Sequence, residues 1–125
     1  MQLSDIIPLA LETGRERLNQ ADTIRRLNDI FRRTFVSGHV VATRGVMLLG
    51  PDDRSDLFHA VREFDNFNPE DDPYSEHDFG ALVHKDVRYF WKIDYYDLDL
   101  RHASPDPADP AFTVRVMTIM RGDEY

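Results

Sequence analysis

The spacing of apolar residues predicts a helix near the start of the chain. From Asp22 onward, apolar side chains recur at helical intervals, at Ile24, Leu27, Ile30, Phe31 and Phe35. Asp22 or Thr23 can cap this helix, and Gly38 ends it. The opposite face carries Arg25, Arg26, Asp29, Arg32 and Arg33. We interpret this basic stripe as a solvated helix face and assign no anion site to it.

A strand and a second helix follow. Residues 39–49 are rich in Val, Thr and Leu and end at Gly50, which predicts a strand of about six to ten residues. Pro51 and the two aspartates after it are suited to the first turn of a helix. One face of that helix is expected to be buried, and it consists of Leu57, Val61 and Phe64. His59 lies off this stripe, so we predict a surface position for it.

Two segments are predicted to be surface loops. Residues 65–76 (DNFNPEDDPYSE) contain two prolines and five carboxylates, and residues 104–110 (SPDPADP) contain three prolines and two aspartates. Proline lacks the backbone N–H that a helix or a sheet requires, so neither segment forms a regular element. A calcium loop of the EF-hand type does not fit the first segment, because Pro69 and Glu70 interrupt the series of oxygen ligands.

Between these loops, two runs of alternating residues predict a β-hairpin. The second run, residues 87–97, is the clearer strand and places Val87, Tyr89, Trp91, Ile93 and Tyr95 on one face. A three-residue loop at 84–86 pairs Phe79 with Trp91 and sets Asp78 opposite Lys92. A loop at 85–87 instead sets Asp78 opposite Asp94, which would create a site of paired carboxylates.

A last strand, residues 112–120, has two faces that both become apolar toward its end, which predicts a central place in the sheet. The element order is then α-β-α-β-β-β. We predict a single α+β domain over residues 21–125, with a mostly antiparallel sheet of about four strands and helices packed on one face. Residues 1–20 are predicted to be an N-terminal arm or a short helix.

Composition narrows the classes of function. The chain has 125 residues, a mass of 14.6 kDa and no cysteine, so one domain is expected and thiolate metal sites are excluded. No apolar stretch approaches the length of a membrane span, so a cytoplasmic protein that does not bind membranes is expected. Residues 51–125 carry eighteen acidic and eight basic side chains, which disfavours direct binding of nucleic acid and favours a basic partner.

Several strings of residues resemble a known family. They are HDFG (77–80), YFWKIDYYD (89–97), SPDPADP (104–110), RVMTIM (115–120) and the final EY. Together with LNDIFRRTF (27–35) and VREFDNF (61–67), they resemble the family called domain-of-unknown-function 3768, over about residues 21–125. The resemblance implies a small bacterial protein associated with plasmids and other mobile elements. It implies no activity, cofactor or catalytic residue.

Three classes of function remain open. The preferred one is a non-enzymatic module without a cofactor that binds a basic protein surface and inhibits host defence by charge mimicry of nucleic acid. Its expected contacts are Glu70, Asp71, Asp72, Phe90, Tyr96, Asp106 and Asp109. The second is a metal-dependent hydrolase using His77, Asp78 and Asp94, with Asp97 as a further candidate. The third is an oligomerisation module that contacts other copies through its N-terminal arm and Phe90.

Overall fold

A computed structural model describes residues 20–125, which form three α-helices and one four-stranded sheet. The helices are α1 (residues 20–34), α2 (Arg44–Met47) and α3 (Pro51–Arg62). The strands are β1 (His39–Ala42), β2 (Phe79–His84), β3 (Val87–Tyr96) and β4 (Val114–Arg121). Two short 3-10 turns span Pro110–Phe112 and Gly122–Glu124. The predicted N-terminal arm lies outside the described residues, apart from residue 20.

The sheet is mixed, with the strand order β1-β4-β3-β2. Its one parallel pair joins β1 to β4, with His39 opposite Val116, and the other two pairs are antiparallel. The predicted α+β domain with a mostly antiparallel four-stranded sheet is therefore confirmed. The last strand is central, as its apolar faces predict, and the two edges of the sheet are β1 and β2.

All three helices contribute to the core on one face of the sheet. The helices supply four side chains to one buried cluster: Phe31 of α1, Val46 of α2, and Leu57 and Val61 of α3. The central strands supply its other members, which are Tyr89, Trp91, Ile93, Met117 and Ile119. Side chains alternate along a strand, so the intervening residues point to the other side. We call that side, which includes Phe79, Phe90 and Lys92, the open face.

The turn of the β2–β3 hairpin is one residue shorter than predicted. It contains only Lys85 and Asp86, whose φ angles are 48° and 66°, and His84 pairs with Val87. Two consecutive residues in the left-handed region form the tight turn whose twist matches that of the flanking strands. The tight turn sets the register of the whole hairpin.

The shorter turn reverses the two faces of β2. Phe79 pairs with Lys92 and lies on the open face, whereas the predicted register placed it in the core. The N–H of Ile93 donates a hydrogen bond to the Asp78 carbonyl at 2.8 Å. Asp78 therefore lies opposite neither Lys92 nor Asp94, and both predicted registers are wrong.

Helix α1 is confirmed, but its inward face is more polar than predicted. Asn28 and Arg32 are fully buried, although the pattern assigned Arg32 to the solvated face, and Ile30 is 59% exposed. The Arg32 guanidinium donates hydrogen bonds to the carbonyls of Val61 and Arg62 at 3.2 and 3.0 Å, which ties α1 to the end of α3. These hydrogen bonds compensate part of the cost of burying the charge.

The first strand is shorter than the predicted six to ten residues. It ends at Ala42, and α2 begins two residues later. The Glu124 carboxylate stops the strand, because it accepts hydrogen bonds from the Gly45 N–H at 2.8 Å and from Thr43 Oγ1 at 2.6 Å. The predicted second helix is observed as α3, and His59 is exposed on it, as predicted.

Candidate functional site

A groove of about 530 Å³ opens beside the start of β2. Four acidic residues line it, and they are Glu70, Asp71, Asp78 and Asp94. The groove holds one ammonium group, that of Lys92, and its remaining lining consists of Pro73, Tyr74, Phe79, Ile93 and Tyr125. We call it the acidic groove. Three segments that lie apart in the sequence meet there: the loop after α3, the β2–β3 hairpin and the C-terminal residue.

The loop that supplies Glu70 and Asp71 is folded by a single asparagine. Asn68 Oδ1 accepts hydrogen bonds from the Glu70 N–H at 3.1 Å and the Asp71 N–H at 2.9 Å. The Asn68 carbonyl accepts a third, from the Asp72 N–H at 2.8 Å. An asparagine side chain bonded in this way imitates a backbone turn, so it holds the loop without a regular element. Glu70 and Asp71 are exposed.

Strand β3 positions the two charged groups in the middle of the groove. Lys92 and Asp94 alternate with the buried Trp91 and Ile93, so both side chains leave the sheet on the open face. Lys92 Nζ lies 3.1 Å from Asp94 Oδ2, and this hydrogen bond raises the pKa of the lysine. The ion pair neutralises Asp94. Within residues 20–125, the groove lining contains no second basic residue that could pair with Glu70, Asp71 or Asp78.

Asp78 is the most perturbed acid of the groove. Burial, together with the negative charges of Glu76, Asp72 and Asp94, raises the pKa of Asp78 to about 6. Within residues 20–125, no side chain donates a hydrogen bond to this carboxylate. Ionisation of Asp78 therefore carries an electrostatic cost in the folded protein.

An aromatic cluster forms one wall of the groove. The rings of Phe79 and Phe90 lie 5.4 Å apart, and the ring of Tyr125 lies 6.0 and 5.2 Å from them. Tyr125 is 75% exposed. Phe90 and Tyr96, predicted as contacts for a partner, are both half-buried on the open face, and Phe90 is the nearer to the groove because it touches two of its lining residues.

His77 is not part of the acidic groove. Its Nδ1 lies 2.8 Å from Asp29 Oδ1, and its ring stacks on Phe67 with 3.6 Å between centroids. The His77 N–H donates a hydrogen bond to Asp72 Oδ1 at 3.1 Å. The predicted grouping of His77 with Asp78 and Asp94 is thus not assembled, since the imidazole lines a separate hollow beside Phe67.

Four other predicted site residues have structural partners. Asp72 was expected on an exposed acidic loop, but it is only 6% exposed and holds the His77 backbone. Asp97 accepts a hydrogen bond from the Arg101 N–H at 3.0 Å, which closes a turn and lowers the pKa of Asp97. Asp109 caps the first 3-10 turn through the Ala111 N–H. Asp106 likewise accepts from the Ala108 N–H at 3.2 Å.

One group of side chains within residues 20–125 could bring three metal ligands together. It consists of Asp53, Asp56 and His84, whose ligand atoms lie within 4.8 Å of one another. Lys85 Nζ is 2.7 Å from Asp53 Oδ1, and this hydrogen bond, with that from His84, lowers the pKa of Asp53. The lysine already supplies a positive charge at this position, which is at the other end of β2 from the groove.

A buried polar network next to the groove is not predicted by the sequence pattern. Asn28 Oδ1 accepts a hydrogen bond from Arg115 Nε at 2.8 Å, and Asn28 Nδ2 donates to Tyr95 Oη at 2.7 Å. Tyr95 in turn donates to Glu76 Oε2 at 3.0 Å. Burial raises the pKa of Tyr95 well above its ordinary value. Arg115 lies two residues before the buried Met117 on the same face of β4, and that spacing is the one signal of its inward position.

The sequence pattern also does not predict Tyr74 and Tyr125 as lining residues, because only the folded loop and the last 3-10 turn bring them to the groove.

Comparison with known proteins yields one match. The model of a family described as "Protein of unknown function (DUF3768)" matches residues 42–124, which is more than half of the chain. No curated protein and no solved structure matches the chain. In the part of the chain that the structure describes, none of the helices has the length and apolar character needed to cross a membrane.

Proposed function

The chain belongs to the DUF3768 family of proteins of unknown function. For this member of the family, we propose a non-enzymatic module that binds a basic segment of a partner protein in the acidic groove. One observation carries the proposal. Four acidic residues line a groove of about 530 Å³ whose lining, in the described part of the chain, contains a single lysine. Opposite charge on a partner both steers the encounter and favours the complex.

The lining of the groove favours arginine over a simple cation. Tyr74, Phe79 and Tyr125 present aromatic rings beside the carboxylates. A guanidinium group can stack on such rings while it donates paired hydrogen bonds to a carboxylate. Glu70 and Asp71 lie on an exposed loop and are available for such contacts. An extended segment that contains arginine therefore fits the groove in both charge and shape.

The chemistry of the lining also supports binding rather than catalysis. It contains carboxylates, one lysine and two tyrosines, without an imidazole or an aliphatic hydroxyl group. The nearest imidazole in the sequence, that of His77, is bonded to Asp29 instead.

A narrower form of the proposal concerns the kind of partner. We infer that the basic surface is one that normally binds nucleic acid, so that the chain, as part of a mobile element, inhibits a protein of host defence by charge mimicry. The eighteen acidic side chains of residues 51–125 support this form, since they repel phosphate groups and attract the surfaces that bind them. A nucleic acid that displaces the chain from its partner would support mimicry, and simultaneous binding would exclude it.

The test uses the whole chain and a fluorescent octa-arginine peptide as the probe. A groove variant combines Glu70→Gln, Asp71→Asn and Asp94→Asn. A matched variant combines Glu63→Gln, Asp65→Asn and Asp99→Asn, which removes the same charge from exposed positions outside the groove lining. Binding is measured at low and at raised salt.

We expect the groove variant to bind the peptide about tenfold more weakly, because each lost ion pair contributes roughly 0.2 to 1 kcal/mol. The matched variant should retain most of the affinity. Equal losses in the two variants would show that only the net charge matters and would overturn the groove as the binding site. The same pair of variants then serves in capture from a bacterial lysate, where a true partner is lost with the groove variant alone.

A further inference from the structure

Strand β2 is an edge of the sheet that carries none of the usual protection. Its six residues, FGALVH, include no Asp, Glu, Lys, Arg or Pro, and they pair with β3 without a bulge. Natural edge strands usually carry such charges, prolines or bulges, because an unpaired edge is a template for another strand. The other edge, β1, has four residues and runs almost directly into α2.

The hydrogen-bonding groups on the outer side of β2 can be identified from its ladder. Because the Ile93 N–H donates to the Asp78 carbonyl, every second residue from Asp78 is bonded to β3. The N–H and C=O groups of Phe79, Ala81 and Val83 therefore point away from the sheet. Within residues 20–125, these groups have no backbone partner in any other segment.

We propose that β2 pairs with the β2 strand of a second copy of this chain, antiparallel and about a two-fold axis at Ala81. The pairing would join two four-stranded sheets into one continuous sheet of eight strands. An isologous contact of this kind closes on itself and gives a dimer rather than a fibre. Phe79 belongs both to β2 and to the groove lining, but the groove variants above leave β2 unchanged, so loss of peptide binding and loss of dimerisation can be distinguished.

Side-chain complementarity selects this register. Phe79 lies opposite the partner subunit's Val83, and the reciprocal pair follows by symmetry. Val83 is 67% exposed in the single chain, so the pairing buries apolar surface on the open face.

The neighbouring registers are less favourable. Only shifts by two residues keep the outward groups of both strands facing each other. One shift sets Asp78 opposite the partner subunit's Asp86, and like charges directly opposite are destabilising. The other shift sets Val83 opposite the partner subunit's His77, which precedes the strand. The register about Ala81 alone sets Phe79 opposite the partner subunit's Val83 in both halves of the contact.

Sedimentation equilibrium of the whole chain over a series of concentrations tests the proposal. We expect a reversible dimer of twice 14.6 kDa. Val83→Lys should weaken dimerisation about tenfold, because the symmetric contact loses two pairs at once. Val41→Lys is the matched control, since Val41 is 46% exposed on the other edge strand, and it should leave the dimer intact. A monomer at all concentrations, or equal effects of the two variants, would overturn the proposal.

A second experiment tests the register and does not depend on the strength of association. The chain has no cysteine, so Ala81→Cys places one thiol at the two-fold axis. The two Cα atoms there would be about 5.5 Å apart, within the range of a disulfide. Oxidation should link two chains through residue 81, and Val83→Cys, which is more exposed but away from the axis, should not link. Equal linking of the two variants would indicate random collision and reject the two-fold axis.

Discussion

Gly80 lies directly opposite Trp91 in the β2–β3 ladder, and the indole ring occupies the space of the missing side chain. A Cβ atom at residue 80 would be 2.6 Å from Trp91 Cε2 and 2.8 Å from Phe64 Cε1. Both distances are far below van der Waals contact. The glycine therefore allows the largest side chain of the core to lie flat under an edge strand, with Phe64 of the segment after α3 packed against it.

We predict that Gly80→Ala destabilises the protein. The methyl group can be accommodated only if Trp91 or β2 moves, and overpacking of this kind costs about 1 to 3 kcal/mol. Gly50→Ala is the control, because a Cβ atom there meets no atom within 4 Å. Gly50 is also the N-cap of α3, where alanine is disfavoured by up to about 1 kcal/mol, so Gly50→Ala should lose less stability than Gly80→Ala. Urea unfolding measures both, and similar values for the two variants would contradict the packing argument.

Asn28→Ala should be more damaging than its small change in volume suggests. The asparagine is fully buried and bonded to Arg115, Tyr95 and the Glu76 carbonyl. Its removal leaves the buried Arg115 Nε without an acceptor, which costs about 3 kcal/mol for a charged group. Ile30→Ala on the exposed side of the same helix should cost less than about 0.5 kcal/mol. A thermal melt of both variants compares them, and an Asn28→Ala variant as stable as Ile30→Ala would refute the importance of the network.

The stability of the chain should depend on pH through Asp78. The pKa of its carboxyl group is about 6 in the folded protein and 3.8 ordinarily, so the folded state binds more protons between these values. The protonated Asp78 carboxyl group therefore contributes its full stabilisation below pH 3.8, and this contribution is lost as the pH rises through 6. Asp78→Asn should gain stability relative to the original chain between pH 4 and pH 7, by on the order of 1 kcal/mol after allowance for partial exposure.

Urea unfolding of the original chain and of the Asp78→Asn variant at pH 4 and pH 7 measures this gain. The exposed Asp99→Asn variant is the control. A difference between the Asp78→Asn variant and the original chain that does not change with pH would contradict the assignment.

Lys92→Gln should strengthen the binding of a basic peptide. The lysine is the only cation in the lining of the acidic groove, and it neutralises Asp94 at 3.1 Å. Its removal frees that carboxylate and should raise the affinity for octa-arginine about two- to fivefold. Lys85→Gln removes the same charge at the far end of β2 and should have a smaller effect. Fluorescence anisotropy compares the two, and a larger effect at Lys85 would place the binding site elsewhere.

The elements that the sequence predicts well are those whose apolar pattern is strong. The face of β3 with Tyr89, Trp91 and Ile93 is buried as its alternation indicates, and α3 buries Leu57 and Val61. Such patterns are dictated by the period of the element itself. The family resemblance rests on strings that include these same buried residues, and it is confirmed over residues 42–124.

The parts that the sequence did not predict depend on contacts between distant segments. The hairpin register follows from the left-handed conformation of Lys85 and Asp86, which neither residue type requires. The burial of Arg32 depends on carbonyl acceptors at the end of α3, about thirty residues later in the chain. The acidic groove itself needs the corrected register, because only then does Phe79 lie on the same side as Lys92.

The place of β4 in the sheet has a consequence for how the fold is reached. β4 is the last strand of the sequence and yet the central one, so β1 has no strand partner until residues up to 121 have been synthesised. The Glu124 carboxylate then bonds to the Gly45 N–H, 79 residues earlier in the chain. Before that point β2–β3 is the only strand pair of the sheet that can form, and an isolated hairpin is marginally stable in water. Folding is thus a late event dominated by long-range pairing, which predicts slow refolding for a protein of this size.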